Sequence, residues 1–121
     1  MGLPKDSAAR KDLPLARGLL DYFPDALAAV AKLSRKGNDK HNPGEPLHWS
    51  REKSSDHADC IVRHLIERGT VDAEDGLLHD VKVAWRALAM CQLAIEKQRA
   101  GDVQFTVKTV CGVPIDPLAR R

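Results

Sequence analysis

Apolar residues recur at helical spacing in three stretches of the chain. Pro24 suits the first turn of a helix, and the apolar positions 27, 30, 31 and 33 follow it at roughly one turn. Gly37-Asn38 is predicted to end this helix. A second helix is predicted from about Glu52 to Arg68, with Gly69 ending it. The apolar stripe of this second helix consists of Ala58, Ile61, Val62, Leu65 and Ile66.

A third helix is predicted from about Asp75 to Arg99 and is apolar almost all round. A helix of that kind lies at the centre of a bundle or at a subunit interface. Residues 1–18 are polar and are predicted to form an N-terminal arm, so that the helical domain covers residues 19–101. The sequence therefore predicts an all-α fold.

Residues 102–121 are predicted to form a C-terminal tail. Val103 to Val110 alternates between apolar and polar residues like a strand. A lone strand needs a partner. The alternatives are pairing with a symmetry mate, folding onto the bundle, and disorder.

Composition excludes several classes of protein. A net charge of +2, with basic residues spread along the chain, gives no basic stripe for nucleic acid. No segment resembles a signal peptide or a membrane span. The three cysteines lack disulfide or zinc spacing. Cys60 and Cys91 fall inside helical patterns and are predicted to be buried free thiols, which suits a reducing cytoplasm.

Residues 37–50 are rich in Gly, Pro and Asn and also carry His41, His48 and Trp49. Such a loop is either functional or an irregular connector anchored by its tryptophan.

Acidic residues gather on the second predicted helix. On a helical wheel Asp56, Asp59, Arg63 and Glu67 fall on one face. Two carboxylates one turn apart can bind a hard cation such as Mg²⁺, and Arg63 can hold phosphate oxygens. The alternative is a solvated face with an Asp59–Arg63 ion pair.

The third helix repeats this theme if helical geometry extends back into the connector. Asp72, Asp75 and His79 then align at positions i, i+3 and i+7, with Arg86 on the same side. The alternatives are helix capping by the two aspartates and a structural role for His79.

The two acidic groups would lie about 15–20 Å apart if the two helices formed a simple hairpin, at 1.5 Å per residue. Glu67 and His64 lie near the turn, closer to His79. Alternatively, the acids meet across a subunit interface, and the sequence leaves this choice open.

Several short motifs occur in one order along the chain. The motifs are Leu20-Asp21-Tyr22-Phe23-Pro24, Gly37-Asn38, His41-Asn42-Pro43-Gly44, Pro46-Leu47-His48-Trp49, Asp56-His57-Ala58-Asp59, Arg63-His64-Leu65, Asp75-Gly76 and Ala84-Trp85-Arg86-Ala87-Leu88-Ala89. Together they resemble the phage-type dATP/dGTP diphosphohydrolases, a branch related to the MazG and HisE all-α nucleotide pyrophosphohydrolases. The resemblance covers about Gly18 to Gln98.

The resemblance implies a MazG-like helical bundle whose site is completed by oligomerisation, as a homodimer or homotetramer. It also implies two or three Mg²⁺ or Mn²⁺ ions and hydrolysis of a purine dNTP to the monophosphate and pyrophosphate. The wider MazG pattern has ExxE on one helix and ExxD on the next. This chain has Asp56-xx-Asp59 and Asp72-xx-Asp75 instead, so its metals would lie closer to the backbone or bind through water.

The residue pattern, combined with the metal-dependent hydrolysis that the resemblance implies, predicts a role for each candidate site residue. The metal ligands would be Asp56, Asp59, Asp72 and Asp75, with Glu67 as a further candidate. The catalytic residues would be Asp59, Glu67 and His79, and His64 or His79 would orient a water or bind phosphate. The substrate contacts would be Asn38, His41, Trp49, Arg63, His64 and Lys82, with Tyr22 as an alternative platform for the base.

Two rival interpretations remain at this point. The first is a non-catalytic helical module that binds nucleotides or nucleic acid, although nucleic acid is not expected from the charge distribution. The second is a phosphohydrolase of the HD type, suggested by His79-Asp80 alone; it would release nucleoside and triphosphate.

Overall fold

A computed structural model describes residues 2–101, 108–110 and 113–115. Its helices confirm the predicted all-α class. In chain order the elements are α1 (Ser7–Lys11), a π-helical turn (Ala16–Leu20), α2 (Pro24–His41), a 3-10 turn (Arg51–Lys53), α3 (His57–Ile66), α4 (His79–Arg99), β1 (Lys108–Val110) and β2 (Val113–Ile115). Contacts divide the chain into two units, residues 1–90 and 91–121, and the candidate site belongs to the first.

Helix α2 continues to His41, so the prediction that Gly37-Asn38 ends it was wrong. Asparagine usually favours helix ends, because its side chain competes with the helix for backbone hydrogen-bonding groups. Here that side chain is buried and bonds to the following loop instead. Its Nδ2 donates to the Glu45 carbonyl at 3.1 Å, and its Oδ1 accepts from the His48 amide at 3.3 Å. The helix therefore keeps its own hydrogen bonds.

Helix α3 begins at His57, five residues later than predicted. Arg51–Lys53 forms a separate 3-10 turn, and Ser54 is extended, which interrupts the helical path. Asp56 occupies the N-cap position with φ −113°, and its side chain makes no capping hydrogen bond. Asp56 and Asp59 are thus not an i,i+3 pair within one helix.

A tight reversal joins α3 to α4, and α4 begins at His79 rather than at Asp75. Gly69 and Gly76 adopt left-handed φ values of +78° and +75°, which glycine adopts without steric cost. In the same segment, Val71 and Leu78 form an antiparallel bridge across Gly76. Asp72 and Asp75 therefore lie in a loop instead of on the helix face that their spacing predicted.

Few apolar side chains are buried within residues 2–101 of the single chain. The buried apolar residues there are Cys60, Leu77 and Ala89, whereas the buried polar residues are Asn38, Asn42, His57 and His79. The apolar stripe predicted on α3 largely faces outward, with Val62 55%, Leu65 45% and Ile66 73% exposed. The single chain therefore leaves exposed a face of α3 whose apolar pattern is typical of a protein core.

The structure confirms some of the remaining predictions about the cysteines and the tail and corrects others. Cys60 is buried as predicted, but Cys91 is exposed, and Cys111 lies outside the described residues. In the tail, β1 pairs antiparallel with β2, so this strand finds its partner within the chain; residues 103–107 of the predicted strand lie outside the described residues. Within the described ranges, no helix is both long enough and apolar enough to cross a membrane.

Replacing the buried Asn38 tests its role in holding the loop. Asn38→Ala leaves the Glu45 carbonyl and the His48 amide without their partner, and we expect a loss of about 1–3 kcal/mol in the free energy of unfolding. Urea titration followed by circular dichroism measures this loss. The neighbouring Asp39→Ala, which removes an exposed i,i+4 ion pair with Arg35, should change stability by less than about 0.5 kcal/mol. Equal stabilities for the two variants would contradict this role.

Candidate active site

The last turn of α3 faces the first turn of α4 through two histidines. The Nδ1 atoms of His64 and His79 lie 2.9 Å apart, and the Nε2 of His79 lies 3.5 Å from a carboxylate oxygen of Glu67. His79 is only 7% exposed. The tight reversal brings these residues together, because it returns the chain to the end of α3. Glu67, His64 and His79 thus form one cluster.

Lys82 lies between the two aspartates of the reversal. Its Nζ donates to Asp72 Oδ2 at 2.6 Å and contacts Asp75 Oδ2 at 2.8 Å. The loop orients both carboxylates, since Asp72 Oδ1 accepts from the Glu74 amide and Asp75 Oδ1 accepts from the Leu77 amide. Two carboxylates therefore converge on one cation position, although they do not share a helix.

The pKa values of this triad show how strongly the charges are coupled. The hydrogen bond from Lys82 lowers the pKa of Asp72 to about 2, helped by the Glu74 amide. The same lysine lowers the pKa of Asp75. Burial lowers the pKa of Lys82, but its hydrogen bonds to the two carboxylates outweigh burial and raise the pKa overall. All three groups are therefore charged at neutral pH.

Two further lysines hold the same loop, and the sequence analysis missed both. Lys36 Nζ donates to the Asp75 carbonyl at 2.9 Å, and Lys40 forms an ion pair with Glu74. The signal was present in the i,i+4 spacing of these lysines, which places them on one side of a helix. It was lost because the helix was predicted to end between them.

The acidic residues at the start of α3 form a separate group. Arg63 Nη2 lies 3.4 Å from Asp56 Oδ2 and 2.8 Å from Cys60 Sγ. The pKa of Asp56 is lowered, first by a hydrogen bond from the Cys60 thiol and then by Arg63. Arg63 thus pairs with Asp56, whereas the sequence alternative paired it with Asp59, which is exposed. Within one chain, the described contacts do not join this group to Asp72 and Asp75.

The loop after α2 places Trp49 against α4. The Trp49 and Trp85 rings meet edge to face with centroids 6.0 Å apart, and the Arg51 guanidinium lies 4.3 Å above the Trp49 ring. Trp85 is anchored by a 2.8 Å hydrogen bond from its Nε1 to Ser34 Oγ. Trp49 is therefore held in a fixed orientation, with Arg51 over its ring.

Asn38 and His41, both predicted substrate contacts, support this loop in the structure. The carboxamide of Asn38 bonds to loop backbone on both its nitrogen and its oxygen. His41 is exposed at the end of α2, and its carbonyl accepts from Lys53 Nζ at 3.2 Å. Asn38 therefore shapes the loop and has little hydrogen-bonding capacity left to read a base.

Two other polar residues have structural partners. Asp80, the acid of the His79-Asp80 pair, accepts a 2.7 Å hydrogen bond from the Gly69 amide. The carboxylate of Asp80 thus fastens the reversal, which weakens the HD-type interpretation. Arg86 donates to His57 Nδ1 at 3.2 Å, so the buried Nε2 of His57 carries the proton, and that atom has no hydrogen-bond partner in the described part of the chain.

The donor set suits Mg²⁺ or Mn²⁺ at one place in particular. Across the described residues, no three His, Cys, Asp or Glu side chains of one chain are arranged to hold a metal ion. Asp72 and Asp75, however, already converge on the ammonium of Lys82. Mg²⁺ is commonly bound through one or two carboxylates together with substrate phosphates. This pair therefore fits a metal that the substrate helps to hold.

Comparison with known proteins gives one match. Residues 4–103 match the family model described as dATP/dGTP diphosphohydrolase, N-terminal. This range includes α1 through α4 and every candidate site residue. No curated protein and no solved structure matches the chain.

Acid titration tests the coupling of Asp72 to Lys82. Because the folded-state pKa of Asp72 is about 2 instead of 3.8, its ionised form stabilises the fold above pH 4. That contribution is lost as the pH falls from 4 towards 2. We therefore expect the free energy of unfolding to fall less steeply over this window in Asp72→Asn than in the wild type. Urea titrations at several pH values measure the two slopes.

Asp39→Asn is the control for this titration, because it alters an exposed carboxylate with a surface ion pair. Its slope should match that of the wild type. The same slope in Asp72→Asn as in the wild type would show that Lys82 does not stabilise the ionised Asp72.

Proposed function

The chain belongs to the dATP/dGTP diphosphohydrolase family, and on this premise we propose that it hydrolyses dGTP or dATP to the monophosphate and pyrophosphate. The observation that carries the proposal is the convergence of two aspartates, one lysine and a pair of hydrogen-bonded histidines at one reversal. Carboxylates for a metal, a cation for phosphate and a proton-accepting group are the parts that such a hydrolysis needs.

The lysines around the reversal supply positive charge for the triphosphate. Lys82, Lys36 and Lys40 come from two helices and converge on the loop of residues 72–75. An ammonium group binds phosphate oxygens as a point charge. We propose that Lys82 contacts the phosphates once a metal takes its place between Asp72 and Asp75. Arg63 is a further candidate phosphate contact.

Mg²⁺ or Mn²⁺ would be held by Asp72 and Asp75, and further ions, to a total of two or three, by Asp56 and Asp59. A bound divalent ion would neutralise phosphate oxygens and favour formation of a nucleophile from water. The residues of this chain orient the carboxylates for that purpose, because the amides of Glu74 and Leu77 fix one oxygen of each aspartate in the reversal.

The purine base would stack on an aromatic ring. Trp49 is fixed by Trp85 and carries Arg51 over its ring, so a base stacking on the face that Arg51 covers has to displace it. Tyr22 is the alternative, since it is 69% exposed and packs edge-on against Phe23. Either ring offers the flat apolar surface that purines prefer. Backbone groups of the loop after α2 would then read the base edge.

A second copy of the chain would complete the site. Val62, Leu65 and Ile66 are exposed on α3, the same helix that carries His64. An exposed apolar face of this kind marks an interaction surface. We propose a homodimer or homotetramer that buries this face. In such an assembly the acids at the start of α3 in one protomer can meet the reversal of its partner.

The biological setting follows from the family resemblance. In a phage that replaces adenine by 2-aminoadenine, this hydrolysis would supply dGMP to the modified-base pathway and deplete competing purine triphosphates. An enzyme that hydrolysed neither dGTP nor dATP would contradict this role.

Product analysis tests the activity. Purified protein incubated with each dNTP and Mg²⁺ or Mn²⁺ should convert a purine dNTP to monophosphate and pyrophosphate, resolved by phosphorus NMR. Removing the metal with EDTA should abolish turnover. Asp59→Asn and Asp75→Asn should each lower kcat/KM at least about 100-fold, because each removes a charged ligand.

The control variant is Asp39→Asn, an exposed carboxylate on α2 outside the cluster, which should keep wild-type turnover. Nucleoside plus triphosphate as products would support the HD-type interpretation instead. Intact nucleotides with every metal, together with measurable nucleotide binding, would support a non-catalytic binding module.

Assembly is tested by the mass of the particle in solution. Size-exclusion chromatography with light scattering should give a dimer or tetramer for the wild type. Ile66→Lys places a charge on the most exposed apolar residue of α3 and should shift the particle towards the 13.3 kDa monomer. Leu3→Lys, which alters an exposed leucine outside the matched residues, should leave the mass unchanged. A monomeric wild type would contradict the assembly.

A further inference from the structure

Three side chains follow one another across the reversal, joined by an ion-pair contact between Glu67 and His79 and a hydrogen bond between His79 and His64. Glu67 contacts His79 through Nε2 at 3.5 Å, and His79 contacts His64 through Nδ1 at 2.9 Å. The first two residues differ sharply in exposure: the side chain of Glu67 is 61% exposed, whereas that of His79 is 9% exposed. The chain therefore runs from a solvated carboxylate through a buried imidazole to His64.

The contacts along this chain favour one tautomer of each ring. Two ring nitrogens 2.9 Å apart need one proton between them, because one must donate and the other accept. A carboxylate only accepts, so Glu67 favours the proton on Nε2 of His79. The Nδ1 of neutral His79 is then an acceptor, and the shared proton belongs to Nδ1 of His64. The Nε2 of His64 is left with a free lone pair.

We propose that His64 Nε2 accepts the proton of the attacking water during triphosphate hydrolysis, with His79 and Glu67 as positioning residues that hold its tautomer. This inference rests on the proposed function. The water oxygen forms a new bond to one of the two phosphorus atoms, α or β, that flank the α–β bridging oxygen. The bond between that phosphorus and the bridging oxygen breaks. One proton of the water passes to His64 Nε2. The leaving group, either pyrophosphate or the nucleoside monophosphate, departs with the bridging oxygen and the electron pair of the broken bond.

The role is assigned to His64 because the two rings differ in exposure and in whether both ring nitrogens have partners. Both nitrogens of His79 already have partners, Glu67 and His64, and the ring is 7% exposed. His64 is half-buried, and its Nε2 makes no hydrogen bond to the described residues. A proton acceptor has to reach the substrate, so His79 can act only through His64.

The charges around His64 keep its ring neutral. Burial lowers the pKa of His64, and the neighbouring His79 ring and the charge of Lys82 lower it further. Asp72 opposes these effects, and Arg86 adds to them. These groups come from the reversal and α4, and Glu67, the C-cap residue of α3, reaches the pair through His79. A neutral imidazole at pH 7 is the form that can accept a proton.

Nitrogen-15 NMR tests the tautomers without any turnover. In the wild type we expect His64 protonated on Nδ1 and bare on Nε2, and His79 protonated on Nε2. Glu67→Ala, at an exposed side chain, removes the acceptor and should populate the other tautomer of both rings. A proton on Nε2 of His64 in the wild type overturns the proposal, whether or not the protein hydrolyses nucleotides.

Kinetics test the proton-accepting role itself. His64→Ala should lower kcat about 100-fold or more with little change in KM, as loss of a general base does. Added imidazole should restore part of this loss, which a structural role for His64 would not permit. Glu67→Ala should lower kcat less and move the acidic limb of the pH–kcat profile, which reports the base in the substrate complex.

Asp39→Asn is the control here as well, because its exposed carboxylate on α2 pairs with Arg35 outside the cluster; it should keep wild-type kcat. Turnover of the wild type with an unchanged kcat in His64→Ala overturns the proposal while leaving the proposed function standing. No hydrolysis by the wild type overturns the proposed function and, with it, the role of His64 in that reaction; the NMR spectrum then decides the tautomers alone.

Discussion

The arrangement of this protein depends on one tight reversal between α3 and α4. Gly69 and Gly76 take left-handed conformations, and the bridge between Val71 and Leu78 closes the turn. These local constraints return the chain directly to the end of α3. The contacts of Glu67, His64 and His79, and those of Lys82 with Asp72 and Asp75, cross or lie within this turn, so a few backbone angles determine which of these side chains meet.

The helical class and the grouping of acids and histidines near the turn could be predicted from the sequence, because periodicity and chain order report them directly. The helix ends could not. Asn38 is normally a helix-ending residue, and only the buried contacts with the following loop explain why α2 continues through it. Similarly, spacing placed Asp72 and Asp75 on a helix, whereas side chain–backbone hydrogen bonds hold them in a loop. Both errors arise where tertiary contacts replace local preference.

The interior within residues 2–101 of the single chain is unusually polar, and its apolar surface is unusually open. His57, His79, Asn38 and Asn42 are buried, whereas much of the α3 stripe is not. Buried polar groups stabilise a fold only when they have partners, so the interior contributes orientation more than hydrophobic free energy. The apolar contribution would come largely from a second copy of the chain. Folding, assembly and completion of the site would then be one coupled equilibrium, in which dilution weakens stability and activity together.

Lys82 gives this protein a built-in counter-ion. Because its ammonium already neutralises Asp72 and Asp75, the two carboxylates can lie side by side without mutual repulsion before any ion arrives. Metal loading would then be an exchange of one cation for another rather than the filling of a vacant site. The observed metal affinity would be weaker than the bare carboxylates would give, and an incoming triphosphate would strengthen it by offering the displaced ammonium a new anion. Nucleotide and metal would thus each raise the affinity of the protein for the other. Without nucleotide, the protein would not compete strongly for the cell's divalent ions.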